Sequence, residues 1–167
     1  LLKENVASES VYCTGNTVVD ALKMIKKKID CYDIEIDPEI RNIIEKNIEQ
    51  GKKIILLTVH RRESFGEPIL RIFRAIKEFA IENPDVFFFY PYHPNPNVIE
   101  AINKIGLEKI ENIFLTKAVA YKELVYILSQ SDFVVTDSGG IQEEGISLNK
   151  KVLVVREKTE RPEGINS

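Results

Sequence analysis

Residues 53–82, KIILLTVHRRESFGEPILRIFRAIKEFAIE, decide the fold. The first seven are almost continuously apolar, which is the signature of a strand covered on both faces. From Glu67 the pattern changes period: Ile69, Ile72, Phe73, Ile76 and Ala80 recur at helical spacing. A buried strand followed by an amphipathic helix is the first half of a parallel crossover unit.

The same alternation continues along the chain. Residues 85–90 read as a second strand, and Pro96 to Ile105 as a helix that Gly106 stops. A short strand over 112–115 precedes a helix over 122–129. A strand over 133–136, a short helix over 140–147 and a fifth strand over 151–155 complete the pattern. Such repetition predicts an α/β, Rossmann-like parallel sheet with helices on both faces. Upstream, residues 17–28 and 38–50 read as two helices joined by 31–37, placed at the domain's edge or in a hinge. The expected division is a leading segment, 1–51, and a Rossmann-like domain, 52–167. That domain is expected to be truncated at its C-terminal end, because no closing helix follows the fifth strand.

With 167 residues, 44% apolar and 29% charged, the chain has a globular balance. The net charge of -3 gives no electrostatic basis for a nucleic-acid partner. The longest apolar runs are too short for a membrane span, and the opening Leu-Leu-Lys-Glu lacks a secretory signal. Cys13 and Cys31 are read as two free thiols in a reducing cytosol.

Ligands of open parallel sheets bind beyond the C-terminal strand ends, so the residues following each strand are the candidates. They are His60, Arg61 and Arg62 after the first strand, and His93 in a proline-stiffened loop after the second. Asp137-Ser138-Gly139-Gly140 follows the fourth, and Arg156 and then Arg161 follow the fifth. The Ser138-Gly139-Gly140 turn lets a backbone approach a bulky anion at a helix N-terminus, or is a plain strand-to-helix turn with Ser138 as cap. Glu144, one helical turn after Gly140, either accepts from a ribose diol or is a solvated glutamate. His60 is an acid/base or diphosphate donor, or a capping residue. Arg61 suits anions. No Walker-type or dinucleotide glycine fingerprint is present, which disfavours ATP and NAD.

Together, Thr14–Leu22 (TGNTVVDAL), Thr58–Gly66 (TVHRRESFG), Tyr90–Pro96 (YPYHPNP), Thr136–Glu144 (TDSGGIQEE) and Thr159–Glu163 (TERPE) resemble the signatures of the non-hydrolysing UDP-N-acetylglucosamine 2-epimerases, in order and spacing. The resemblance implies the second, UDP-binding domain of a GT-B-like enzyme with its active site between two Rossmann-like domains. It implies interconversion of UDP-GlcNAc and UDP-ManNAc by elimination and re-addition of UDP, without metal or nicotinamide. Its implied partners are an N-terminal domain and, at full length, a second copy in a homodimer. His60 matches the active-site histidine, Ser138, Gly139 and Gly140 the phosphate-binding turn, Glu144 the ribose carboxylate, and Arg161 a diphosphate-binding arginine. Arg61 matches a position that binds a regulatory UDP-GlcNAc in some members, and His93 is implied only to lie near the cleft. Ala118-Val119-Ala120-Tyr121 departs from the family pattern where the uracil is flanked. The rival readings are a GT-B glycosyltransferase nucleotide-sugar domain, a hydrolysing epimerase and a non-catalytic nucleotide-binding module.

Overall fold

The computed structural model describes residues 2–12 and 15–156. Five strands form one parallel sheet: β1 (Lys53–Thr58), β2 (Val86–Tyr92), β3 (Ile113–Lys117), β4 (Phe133–Thr136) and β5 (Lys151–Val154). Their spatial order is β3-β2-β1-β4-β5. Among the described residues six α-helices accompany them: α1 (Thr17–Asp30), α2 (Pro38–Glu49), α3 (Glu67–Glu82), α4 (Pro96–Ile105), α5 (Tyr121–Gln130) and α6 (Gly139–Ser147). The alternation read from the sequence is the alternation observed.

Strand periodicity explains why both sheet faces are covered. In β1, Ile55, Leu57 and the following Val59 enter one core, while Ile54 and Leu56 enter the other. In β2, Val86, Phe88 and Tyr90 join the first core, and Phe87 and Phe89 the second. The first core is closed by Phe73 and its neighbours on α3 and by Val98, Ala101 and Ile102 on α4. The second is closed by Leu22 and Ile29 of α1, Ile44 of α2 and 125–128 of α5. The two leading helices therefore pack on the sheet itself. Each fully buried aromatic or aliphatic side chain contributes roughly 1.5–3 kcal/mol of transfer free energy. Among the described residues no helix is long and apolar enough to cross a membrane.

Chain direction sets where a crevice opens. From β1 the chain steps outward through α3 to β2 and through α4 to β3, then returns through α5 to β4 on the other side of β1. Right-handed crossovers in opposite directions put the helices on opposite faces. The loops leaving β1 and β4 then diverge, and the gap between them is the switch point where such sheets take ligands. The local stops fit this path. Gly66, at φ 80° and ψ -135°, makes a turn into α3 that side-chain-bearing residues rarely adopt, and Gly106 ends α4 in the left-handed region. On α6, a methyl group at Gly145 would lie 2.8 Å from Val152 Cγ2, so glycine there lets the helix sit close to β5.

Candidate functional site

The tips of β1 and β4 are tied together by polar groups that the core would otherwise reject. Thr58 and Thr136 are register partners, and their hydroxyls lie 2.6 Å apart. Thr136 Oγ1 also accepts the Ser138 N–H at 2.9 Å. Beyond them stands Asp137, with 0% of its surface exposed. Its Oδ2 accepts the N–H of His60 at 2.9 Å, the N–H of Arg61 at 2.7 Å and the Ser64 hydroxyl at 3.4 Å. One carboxylate oxygen thus shapes the loop leaving β1. Arg156, just past β5, pairs with Glu63 at 2.5 Å and holds the same loop from the other side.

His60 leaves this platform half-exposed. Its Nδ1 is 3.9 Å from Asp137 Oδ1, and its ring stacks on His93 with centroids 5.6 Å apart and planes 17° off parallel. His93 is itself exposed, on the loop between β2 and α4. Burial pushes the His60 pKa below its ordinary value; Asp137 pulls it upward, while His93 and Arg61 push it further down. Tyr90 supports the neighbouring backbone by donating to the Val59 carbonyl at 2.7 Å.

Ser138 occupies the N-cap position of α6, but its side chain makes no capping hydrogen bond. The first intrahelical bond runs from the Gln142 N–H to the Ser138 carbonyl. The amides of Gly139, Gly140 and Ile141 precede it, and helix geometry leaves them without an intrahelical acceptor. They point, with the positive end of the helix dipole, toward the rim occupied by Asp137 and His60. Gly140 has open space at its Cβ position, with only Ser138 Oγ at 4.0 Å. An anion can therefore come close to this backbone.

Glu144 is 4% exposed, so it is not a solvated helix glutamate. Its Oε1 accepts the Tyr121 hydroxyl at 2.8 Å. Burial raises its pKa; the Tyr121 bond lowers it, and neighbouring Glu143 raises it. The same contact, added to burial, pushes the Tyr121 phenol well above its usual range. Glu143 turns the other way and accepts from Asn16 Nδ2, while Asn16 Oδ1 caps α1 through the Val18 N–H. The segment before α1 is thereby fastened to the helix that carries the glycine turn.

His60, Arg61, His93, Ser138, Gly139, Gly140 and Glu144 all lie at the C-terminal edge of the sheet or on α6, which starts there. Arg161 and the 159–163 segment lie outside the described residues, as do Cys13 and Thr14; Cys31 is an exposed free thiol. Arg61 carries a buried Nε with no hydrogen-bond partner among the described residues. Two site residues were not singled out from the sequence. Asp137 reads as one more turn residue before Ser-Gly-Gly, and its role depends on amides 76 and 77 positions away. Tyr121 lies in the segment that departs from the family pattern; the available signal was that a carboxylate in a short apolar-faced helix needs a donor.

A parallel sheet whose strand order reverses between β1 and β4, with a glycine-led helix at that point, defines a Rossmann-like α/β domain. The chain belongs to the UDP-N-acetylglucosamine 2-epimerase family, whose model matches residues 1–167. A Campylobacter jejuni UDP-N-acetylglucosamine 2-epimerase is 47% identical over all of this chain and 44% of its own length. A crystal structure of the UDP-GlcNAc 2-epimerase from Neisseria meningitidis bound to UDP-GlcNAc superposes with a TM-score of 0.84 at 40% identity, over 99% of this chain and 43% of that one. An S. aureus MnaA–UDP co-structure gives 0.81 at 42% identity, over 99% and 41% respectively. The chain thus spans less than half the length of the relatives it matches.

Proposed function

We propose that this chain is the UDP-binding half of a GT-B-like enzyme that interconverts UDP-GlcNAc and UDP-ManNAc in the cytoplasm. Residues 52–167 form its nucleotide domain and 1–51 the crossover and helices leading into it. The observation that carries this reading is the convergence of His60, the Ser138-Gly139-Gly140 turn and Glu144 on one switch-point rim. Family membership and the likeness to a UDP-GlcNAc-bound structure support it.

Each group has a chemical task. The α6 amides and Ser138 hold the diphosphate; Arg161 adds charge to it. Glu144 takes the ribose hydroxyls. In the forward direction a base of the N-terminal domain removes the C2 proton, the C1–O bond breaks, and its electron pair leaves with UDP. His60, as imidazolium, gives a proton to the departing phosphate oxygen. UDP then re-adds at C1 and a proton enters C2 from the opposite face, inverting that carbon. Fixed donors facing the leaving diphosphate lower this barrier because they are oriented before charge develops. No cofactor is assigned to the reaction. Arg61 and His93 belong to the rim that a second, regulatory nucleotide sugar would share. The full-length enzyme is proposed to be a homodimer, and Cys31 as an exposed thiol suits a reducing compartment.

The test is to incubate the full-length protein with UDP-GlcNAc in deuterated water and follow the products by NMR. Expected are UDP-ManNAc and deuterium at C2. UDP binding without C2 exchange points to a glycosyltransferase or a binding module and overturns the assignment; free ManNAc points to a hydrolysing enzyme. This 167-residue chain alone is expected to bind UDP weakly and turn nothing over.

A further inference from the structure

Asp137 holds the backbone around His60 with one oxygen and faces its ring with the other. Oδ2 is occupied by two amides and a hydroxyl. Oδ1 is buried and has no hydrogen-bond donor among the described residues. A buried acceptor without a donor costs roughly 1–3 kcal/mol, so its retention calls for a use. His60 Nδ1 stands 3.9 Å away, at ion-pair range and beyond hydrogen-bond length. Such contacts tighten when a ligand closes the site.

We propose that Asp137 is the positioning residue of His60: it keeps the imidazole proton on Nδ1, turns Nε2 toward the nucleotide, and stabilises the imidazolium. The proposal rests on the reading of His60 as the group beside the diphosphate. Three features around the ring disfavour its charged form: burial, His93 from the β2–α4 loop, and adjacent Arg61. Asp137, from the β4 tip, is the group that favours it. Without Asp137, burial, His93 and Arg61 would act on the ring unopposed, and it would hold a proton for the leaving phosphate less readily. With it, an arriving diphosphate adds a second negative charge on the opposite side, and the ring takes up a proton. As the C1–O bond breaks, that proton passes from Nε2 to the phosphate oxygen, and Nδ1–H remains toward Asp137. The carboxylate acts by charge and orientation, as the acidic member of other histidine pairs does.

The experiment uses full-length protein with 15N-labelled histidine, the His60 signals being assigned by their loss in His60→Gln. In the wild type, neutral His60 is expected to carry its proton on Nδ1. Asp137→Asn keeps an acceptor for the amides of His60 and Arg61 but presents an NH2 to the ring. The tautomer should switch to Nε2–H, and the His60 titration should move about 1–3 units lower, the usual span for losing an adjacent opposite charge. The alkaline limb of the kcat profile should move to lower pH with it, and kcat should fall roughly 100-fold or more, the scale of a lost acid/base group. The Kd for UDP should change much less. A folded Asp137→Asn protein whose His60 titrates as before overturns the proposal. So does a wild-type ring protonated on Nε2, a result that needs no variant to fold. If the wild type shows no C2 exchange, the epimerase reading fails, while the tautomer and titration still decide the Asp137–His60 pairing.

Discussion

The Tyr121 hydroxyl donates to Glu144 Oε1 at 2.8 Å, joining the start of α5 to the middle of α6. One oxygen of the buried carboxylate is thereby held. Tyr121→Phe removes the donor with little change of shape. A hydrogen bond to a charged group contributes about 1.5–3 kcal/mol, so UDP affinity in the full-length protein should fall about 10- to 100-fold. Inorganic pyrophosphate, which has no ribose, should bind as before. Because the Tyr121 bond lowers the Glu144 pKa, its loss should also move the acid limb of UDP binding to higher pH. Calorimetric titration with both ligands across pH checks this; equal losses for UDP and pyrophosphate would show that Tyr121 supports the fold and not the ribose subsite.

The threonine pair under the site should show unequal single and double costs. Thr136 Oγ1 serves both Thr58 Oγ1 and the Ser138 N–H, and the residue is fully buried. Thr136→Val fills the same space but strands a buried hydroxyl and an amide, costing roughly 1–3 kcal/mol. Adding Thr58→Val removes the stranded hydroxyl, so the double variant should be no less stable than Thr136→Val alone. Urea unfolding of the three variants reads this directly. Additive losses would mean that the hydroxyl contact contributes nothing of its own.

Gly145→Ala tests how closely α6 must approach the sheet. The added methyl would sit 2.8 Å from Val152 Cγ2 and 3.7 Å from Val134 Cγ2. Val152 is stiff at χ1, so the helix must shift. Overpacking of this kind costs about 1–3 kcal/mol, and the glycine turn at the helix start would move with it. The melting temperature of the full-length protein should drop and its UDP affinity should weaken. Gly145→Ala with Val152→Ala should recover part of both, since the second change removes the obstructing methyl. Failure to recover would place the cost elsewhere in α6.

Local patterns carried most of the fold. Residues 53–59 and 85–90 are apolar on both parities, and Ile69, Phe73, Ile76 and Ala80 mark one helix face; these follow from neighbours in the chain. The order β3-β2-β1-β4-β5 does not, because parallel pairing joins residues such as Leu56 and Val134, far apart in sequence. The site divides in the same way. His60, Asp137 and Ser138 are all legible as residues that follow a strand. The part Asp137 plays is not, since its partners are the amides of a distant loop. The sequence leaves Glu144 between solvent and ribose; its 4% exposure and its Tyr121 donor exclude the solvated alternative.

Glu144 should also trade stability against binding. A carboxylate whose folded pKa is raised binds its proton more readily folded than unfolded. Burial raises Glu144 above its ordinary 4.5, so its ionised form costs stability at neutral pH. As pH falls through the raised folded value and then the unfolded one, the acid is protonated in both states and the cost disappears. Glu144→Gln keeps an acceptor for Tyr121 and carries no charge. At pH 7 the variant should be more stable than the wild type by roughly 0.5–2 kcal/mol, the usual scale for relieving a functional-site conflict. The difference should shrink steadily as pH falls through the raised folded pKa and then the unfolded one, as the linkage requires. The same variant should bind UDP more weakly, because a neutral amide accepts from two ribose hydroxyls less strongly than a carboxylate. Unfolding curves from pH 4 to pH 8, paired with UDP titrations, test both halves at once. A variant less stable than the wild type at neutral pH would mean that the buried charge is already compensated, and that Glu144 is held in place by the fold and not strained for a ligand.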